Sequence, residues 1–226
     1  ALVVAVCCAM CFGQNVSDDL IPRAVREADR LDASLTEDVP SWNSETLVEL
    51  AFGLPTQAMR ARAAQQAESD IDRVAKARTN LSRLLQAIEK SGGLDDASER
   101  ESLARTLMIE SVSLPLLQAR AHLMLGLARD STFGRDLSSE DASALEAAAT
   151  LAGKVESASA WADAERGLIV GVALTALGEF AQADSALDDA ADAMEEDAAL
   201  AAPSFGLVQA HELARAALVF YRQEDL

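Results

Sequence analysis

The chain has 226 residues, half of them hydrophobic but only 4% aromatic, with 46 alanines, 11 glycines and 5 prolines. That composition suits closely packed helices, since alanine is the strongest helix former and carries almost no side chain, and no stretch alternates apolar and polar residues as a strand would. The net charge of −18 is divided unevenly, −4 over residues 15–129 and −14 over 130–226; such a surface repels a phosphate backbone and excludes nucleic acid as a partner.

Ala1 to Phe12 is an unbroken run of small and apolar residues, and the first charged side chain is Asp18. The run matches the apolar core of a secretory signal, with Cys11 and Gly13 as small residues before a cut preceding Gln14. It is too short to span a bilayer, which takes about 20 apolar residues. Residues 1–14 are therefore read as an export signal whose Met and basic leader are missing, and the protein as secreted or periplasmic. The alternative is a buried N-terminal helix of a cytoplasmic protein. Cys7, Cys8 and Cys11 are the only cysteines. They lack a second ligand pair for a metal clip, and the rest of the chain can form no disulfide within itself.

Residues 15–55 predict short helices around a loop. Ser17 opens a helix to Leu35, with Asp18 and Asp19 suited to the dipole of its first turn. Val39–Asn43, with Pro40 and Trp42, forms a loop. Ser44 caps a helix ending at Phe52, before the breakers Gly53 and Pro55. Residues 56–112 predict a long helical hairpin. Its first helix runs from Thr56 to Lys90 with an apolar seam of Ala67, Ile71, Val74, Leu81, Leu85 and Ile88, and Arg78 in the one gap. Ser91-Gly92-Gly93 ends it. The second helix starts at Asp95–Ser98 and offers Leu103, Leu107, Leu114 and Leu117, with Glu110 in its gap. Aligned antiparallel, Leu81 meets Leu107, Leu85 meets Leu103, Val74 meets Leu114 and Ile71 meets Leu117. Arg78 then faces Glu110, either as a register-fixing pair or as two separately solvated charges. Pro115 is a point where a new helix can begin.

Residues 113–226 carry the most specific pattern. Ala160–Leu177 is mostly small and apolar, and its Gly167 and Gly171 each cost about 1 kcal/mol relative to alanine inside a helix. Close approach of another helix is the usual compensation. Gly178-Glu179-Phe180 makes a turn, and the next helix puts Ala183, Leu187, Ala190 and Met194 on one face with Asp184, Asp188, Asp192 and Glu195 elsewhere. This hairpin resembles the tetratricopeptide repeat in Gly171 and Leu174, in Gly178 and Phe180 at the turn, and in Ala183, Leu187 and Ala190. It departs from that pattern at Gly167, where an early Trp is usual, and at Glu195, where a Pro closes the repeat. Related first helices recur at Leu125-Gly126, Val170-Gly171 and Ala216-Ala217. The last runs through Leu218-Val219-Phe220-Tyr221 into Glu224-Asp225-Leu226, a turn without its second helix, which predicts a longer protein. The spacing exceeds the family's period of about 34 residues, with long loops such as Asp130–Ser139 taking up the excess.

The fold expected is thus all-α: antiparallel helical hairpins stacked as a tetratricopeptide-like solenoid, preceded by a long helical hairpin. The resemblance implies a concave surface lined by the first helices: Leu123 and Leu127, then Leu168, Val172 and Thr175, then Leu218 and Tyr221. Such a surface suits a peptide or a partner helix. No catalytic chemistry is expected. His122 and His211 are lone helical histidines. There is no Gly-x-Ser-x-Gly, no phosphate loop and no His-Glu-x-x-His. The paired aspartates at 18–19, 95–96 and 188–189 lack the spaced ligands of a calcium loop. No cofactor or metal is expected, and no membrane span beyond the signal. The functional expectation is a protein-binding scaffold; the alternative is a structural, coiled-coil-like protein self-associating through the seam from Ile71 to Ile88.

Overall fold

Alanine-rich 3–4 periodicity produces helices throughout. The computed structural model describes residues 2–53, 55–91, 97–130, 137–156 and 158–224, with side chains over 20–53, 55–90, 101–129, 137–156 and 158–223, and every regular element among them is helical. In order they are α1 (Leu2–Asp38), α2 (Glu45–Phe52), α3 (Gln57–Ser91), α4 (Ala97–Met108), a π-turn (Ile109–Ser113), α5 (Leu114–Asp130), α6 (Ser139–Gly153), α7 (Ala160–Leu177), α8 (Phe180–Glu196), a short 3-10 turn (Ala198–Ala201) and α9 (Leu207–Glu224). The Cys7, Cys8 and Cys11 side chains, the Gly92–Asp95 turn, most of the Asp130–Ser139 loop and the Asp225–Leu226 end lie outside the described residues.

Helix α1 corrects the first expectation. It does not start at Ser17 but runs unbroken from Leu2, through Pro22, to Asp38. From Ile21 onward its buried side chains, Ile21, Ala24, Ala28, Leu31 and Leu35, step by three and four. The buried face of α3 steps likewise through Ala63, Ala67, Asp70, Val74, Ala77 and Leu81. The two helices pack antiparallel with the spacing of a coiled-coil seam, and Arg73 of α3 reaches Asp38 at the end of α1. The seam therefore differs from the expected one. Ile71 and Leu85 are only half-buried, and Asp70 occupies a core position. That carboxylate accepts from Gln66 Nε2 at 3.0 Å and from Arg73 Nη1 at 3.3 Å, which is what a buried charge requires.

The expected register of the hairpin is also displaced. Arg78 donates to Gln118 at 2.7 Å, two helical turns beyond Glu110, while Ser82 donates to Glu110. Leu107, placed in the seam by the sequence, is 45% exposed, whereas Ile109, Val112, Leu114 and Leu117 are buried. The cause is the π-turn, in which Leu114 N–H bonds Ile109 O, five residues back. One inserted residue rotates the apolar stripe by about 100°, so Leu107 and Leu114 no longer share a face. The same turn accommodates Pro115, which has no N–H to donate.

Helices α5 and α7 are the centre of the molecule. Both are apolar nearly all round, and such a helix must be covered on all sides. α3 and α6 flank α5; α6, α8 and α9 surround α7. Ser138 caps α6 by accepting from Asp141 N at 3.1 Å, and Ser159 caps α7 by accepting from Ala162 N at 3.2 Å. At the other end of α7, Gly178 adopts φ 83° and closes the helix. The two in-helix glycines have the compensation expected. A Cβ on Gly167 would sit 2.6 Å from Ala186 O and 2.7 Å from Ala190 Cβ, and one on Gly171 would sit 2.5 Å from a Leu187 methyl. Gly153 of α6 has nothing within 4 Å of the equivalent position and no positive φ. Gly153→Ala is therefore expected to raise stability by about 0.4–1 kcal/mol through loss of unfolded-state freedom, read as a higher denaturant midpoint with an unchanged slope.

Candidate functional site

The residues expected to line a concave binding surface are not on the surface. Leu123 and Leu127 of α5, Leu168, Val172 and Thr175 of α7, and Leu218 of α9 are buried, and Tyr221 is half-buried against the same core. Thr175 donates to Gly171 O at 2.7 Å within its own helix. The segment 39–52, which the sequence marked only as a loop and a short helix, packs over α5 and α9 and meets α7 at Glu165 through Trp42. α2 packs on α5 and α9 with Leu47, Leu50 and Ala51 buried, and Trp42 is 2% exposed. The far end of the array grips this segment. Asn43 Nδ2 donates to Ser204 O at 2.7 Å. Gly206, at φ 67°, lies so close that a Cβ would be 2.7 Å from Trp42 C and 2.6 Å from Asn43 N. The remaining residues that carried the resemblance behave as packing: Ala183, Leu187 and Ala190 are buried, and Phe180 packs half-buried at the turn.

Under Trp42 lies a charge pair that the sequence did not single out. Arg120 Nε of α5 is 3.0 Å from Glu165 Oε1 of α7, with both side chains buried. Neither atom has an aligned hydrogen bond, nor does Trp42 Nε1, so the contact is an ion pair by distance rather than a directed bond. Arg120 Nη1 also lies 3.4 Å from Pro40 O. Burial pushes the Glu165 carboxyl above the ordinary range, with the Arg120 charge and the Trp42 indole pulling it back. The cluster is sealed from solvent and ties three elements together: the 39–44 loop, α5 and α7.

An open feature of the surface among the described residues is a groove between α3 and the α4–π-turn segment. One half, of about 610 Å³, is lined by Leu85, Ile88, Leu103 and Leu107, with Ser82, Gln86, Glu89 and Glu110 at its edge. It continues through the shared residues Ser82, Gln86 and Glu110 into a polar half lined by Ala75, Arg78, Thr79, Arg83 and Gln118. Arg78 and Glu110 thus share this groove but take separate partners, Gln118 and Ser82. Met108, beside it, is 43% exposed.

The acidic C-terminal half is in part a set of ion pairs: Arg215 reaches Asp184, and Asp188 at 3.1 Å, while Arg166 reaches Asp163 at 2.9 Å. Among the described residues no group of three or more His, Cys, Asp or Glu is placed to hold a metal, and no helix is long and apolar enough to cross a membrane. His122 is half-buried and its pKa is lowered by that burial; His211 Nε2 lies 3.0 Å from Leu187 O. The class of protein these features define is all-α, every regular element among the described residues being helical. No family model matches the chain, and no curated protein or solved structure matches it either.

Proposed function

We propose that this chain is an exported scaffold of tetratricopeptide-like helical hairpins that holds a helical segment of a protein partner, and that the segment docks in the α3–α4 groove. The groove is the observation that carries the reading. It is apolar along one half and polar along the other, and bordered by the exposed Leu107 and Met108. Grooves with this division accept one face of an amphipathic helix. The hairpin α7–α8 supports the tetratricopeptide-like build through its glycine-spaced packing, and the apolar start supports export. The alternative of self-association through the α3 seam has less to recommend it, because Ala67, Val74 and Leu81 are already buried against the chain's own helices.

Selection of helical peptides displayed on phage against the whole chain tests the reading. Amphipathic sequences should be enriched, and their binding should fall at least tenfold on Leu107→Asp. The exposed position should keep the melting temperature close to that of the parent, since surface changes cost within about 0.5 kcal/mol. Enriched peptides that bind Leu107→Asp equally well would place the site elsewhere.

A further inference from the structure

The segment between α1 and α3 is bonded to itself more than to the helices it packs on. Within it, Ser44 N–H bonds Ser41 O at 2.9 Å, Val48 N–H bonds Ser44 O at 3.3 Å and Gly53 N–H bonds Glu49 O at 2.9 Å. Ser44 Oγ donates to Ser41 O at 2.6 Å and accepts from Leu47 N–H at 3.3 Å. Loop and helix α2 thus form one self-supporting piece. Among the described residues, two hydrogen bonds cross from 40–53 to the rest of the chain. Asn43 Nδ2 donates to Ser204 O at 2.7 Å, and Arg120 Nη1 lies 3.4 Å from Pro40 O; neither joins backbone to backbone. The remaining hold is apolar, through the buried Trp42, Leu47, Leu50 and Ala51.

Both ends of this piece are anchored. Val39 is buried among side chains of α1, α3 and α5, and Arg73 of α3 holds the adjoining Asp38. At the other end Thr56 Oγ1 caps α3 by accepting from Met59 N–H at 3.3 Å. Between the anchors, α2 stops at Gly53, whose backbone is extended. Hinges are built this way, from a few residues at the ends of an element that absorb the change in backbone direction.

What lies beneath opposes closure. Trp42 Nε1, Arg120 Nε and Glu165 Oε1 are all buried without an aligned hydrogen bond, and Arg120 and Glu165 stand 3.0 Å apart with both side chains sealed. A desolvated charge pair offsets the loss of water only when further hydrogen bonds complete it. Water admitted under Trp42 would supply bonds to all three groups. Apolar burial therefore holds the segment down while the polar cluster favours lifting it.

We propose that residues 40–53 are a strap that lifts off α5 and α9 as one piece while the helices beneath stay folded, and that hydration of the Arg120–Glu165 pair drives the lifting. The open chain bares the apolar surface of α5 and α9 on which α2 packs. No residue of 40–53 lines the α3–α4 groove, so strap and groove are tested separately.

Native-state hydrogen exchange of the full chain at low and rising denaturant tests this. Amides of 48–53 should share one opening and be protected about tenfold or more below the slowest amides of α5 and α7. Their exchange should also depend less on denaturant, because lifting a strap exposes less surface than unfolding. Ile88→Val thins the packing of α3 on α1, away from the strap. It should speed the slowest amides of α5 and α7 severalfold and leave 48–53 unchanged, since lifting the strap does not break that packing. In Arg120→Met/Glu165→Met nothing beneath the strap gains from water, and amides of 48–53 should slow by about fivefold or more. Amides of 48–53 that exchange only with those of α5, at the same denaturant dependence, overturn the proposal, as does an Ile88→Val effect that reaches them in full. A double variant in which they exchange as fast as in the parent overturns the role given to the charge pair.

Discussion

Arg120→Met is expected to be the most damaging single substitution in the chain, lowering stability by about 3–5 kcal/mol, the cost of leaving a buried charge without its partner. Glu165 would then lie buried between α5 and α7 with no cation near it. Native domains are stable by only about 5–15 kcal/mol, so much of the fold's margin would be gone. The double variant Arg120→Met/Glu165→Met should recover most of the loss, because two apolar side chains in place of a buried pair are often neutral or stabilising. Chemical denaturation of the two single variants and the double variant measures this as a coupling energy. A double variant as unstable as the singles would show that the site needs the charges.

The pair also sets a pH dependence. The folded-state pKa of Glu165 is raised above the ordinary value of 4.5, chiefly by burial. The folded state therefore holds the proton more tightly than the unfolded chain does. This contribution to stability is fully present below the ordinary value and is lost as pH rises through the raised one. In Arg120→Met, with the opposing charge gone, the deficit should shrink as the solution is acidified. Comparing unfolding curves of Glu165→Gln and the parent across that range isolates the effect from Asp32 and Asp70, whose pKa values are also raised by burial.

Gly206→Ala is expected to have the second-largest effect, because it opens the contact between the two ends of the array. Two costs add. At φ 67° an L side chain loses about 1–2 kcal/mol. The new Cβ also meets the Trp42–Asn43 backbone at 2.6–2.7 Å, an overpacking costing about 1–3 kcal/mol. Backbone on the receiving side leaves no flexible group to yield. The loss should appear as a lower melting temperature together with faster hydrogen exchange over residues 41–51, while amides of α3 keep their order of protection. Uniform loss of protection would mean that the 39–52 segment is no separable part of the fold.

Much of the helical layout was legible because it rests on local rules. Ser44 caps α2 as its position before an apolar run predicts, and its Oγ accepts from Leu47 N. The bounds of α3, α7 and α8 follow from breakers and periodicity, and the two glycines of α7 announced the close approach of α8. The failures share a different cause. The register of α3 against α4 and α5 depended on helical phase being continuous, and the π-turn at Ile109–Ser113 breaks it without a sequence signature beyond Pro115. Asp70 was passed over in the α3 seam because hydropathy excludes a charge from a core position, although Gln66 and Arg73 stand one turn either side to satisfy it.

The surface residues were misplaced for a related reason. A row of first helices lines an open face only if nothing else in the chain lies there. Leu168 and Val172 sit on a helix apolar all round, which in itself argued for cover on every side. The cover is α6, α8 and α9, with Trp42 reaching α7 at Glu165 from more than a hundred residues away in sequence, and no periodicity links the two. Glu165 carries the same lesson, since a carboxylate in so apolar a helix pointed to a buried cation. Only tertiary structure could name Arg120. The groove was not legible: Arg78 and Glu110 were read as facing charges in a closed seam, whereas they take separate partners and Leu107, beyond the π-turn, is exposed.

Hydrogen exchange of the full chain with and without a selected helical peptide is the most direct test of where this protein binds. A docking site in the α3–α4 groove predicts new protection over residues 82–89 and 103–110, with residues 47–51 and 168–175 unchanged. Protection over 168–175 accompanied by loosening of 47–51 would contradict it, and would show that the partner displaces the 39–52 segment.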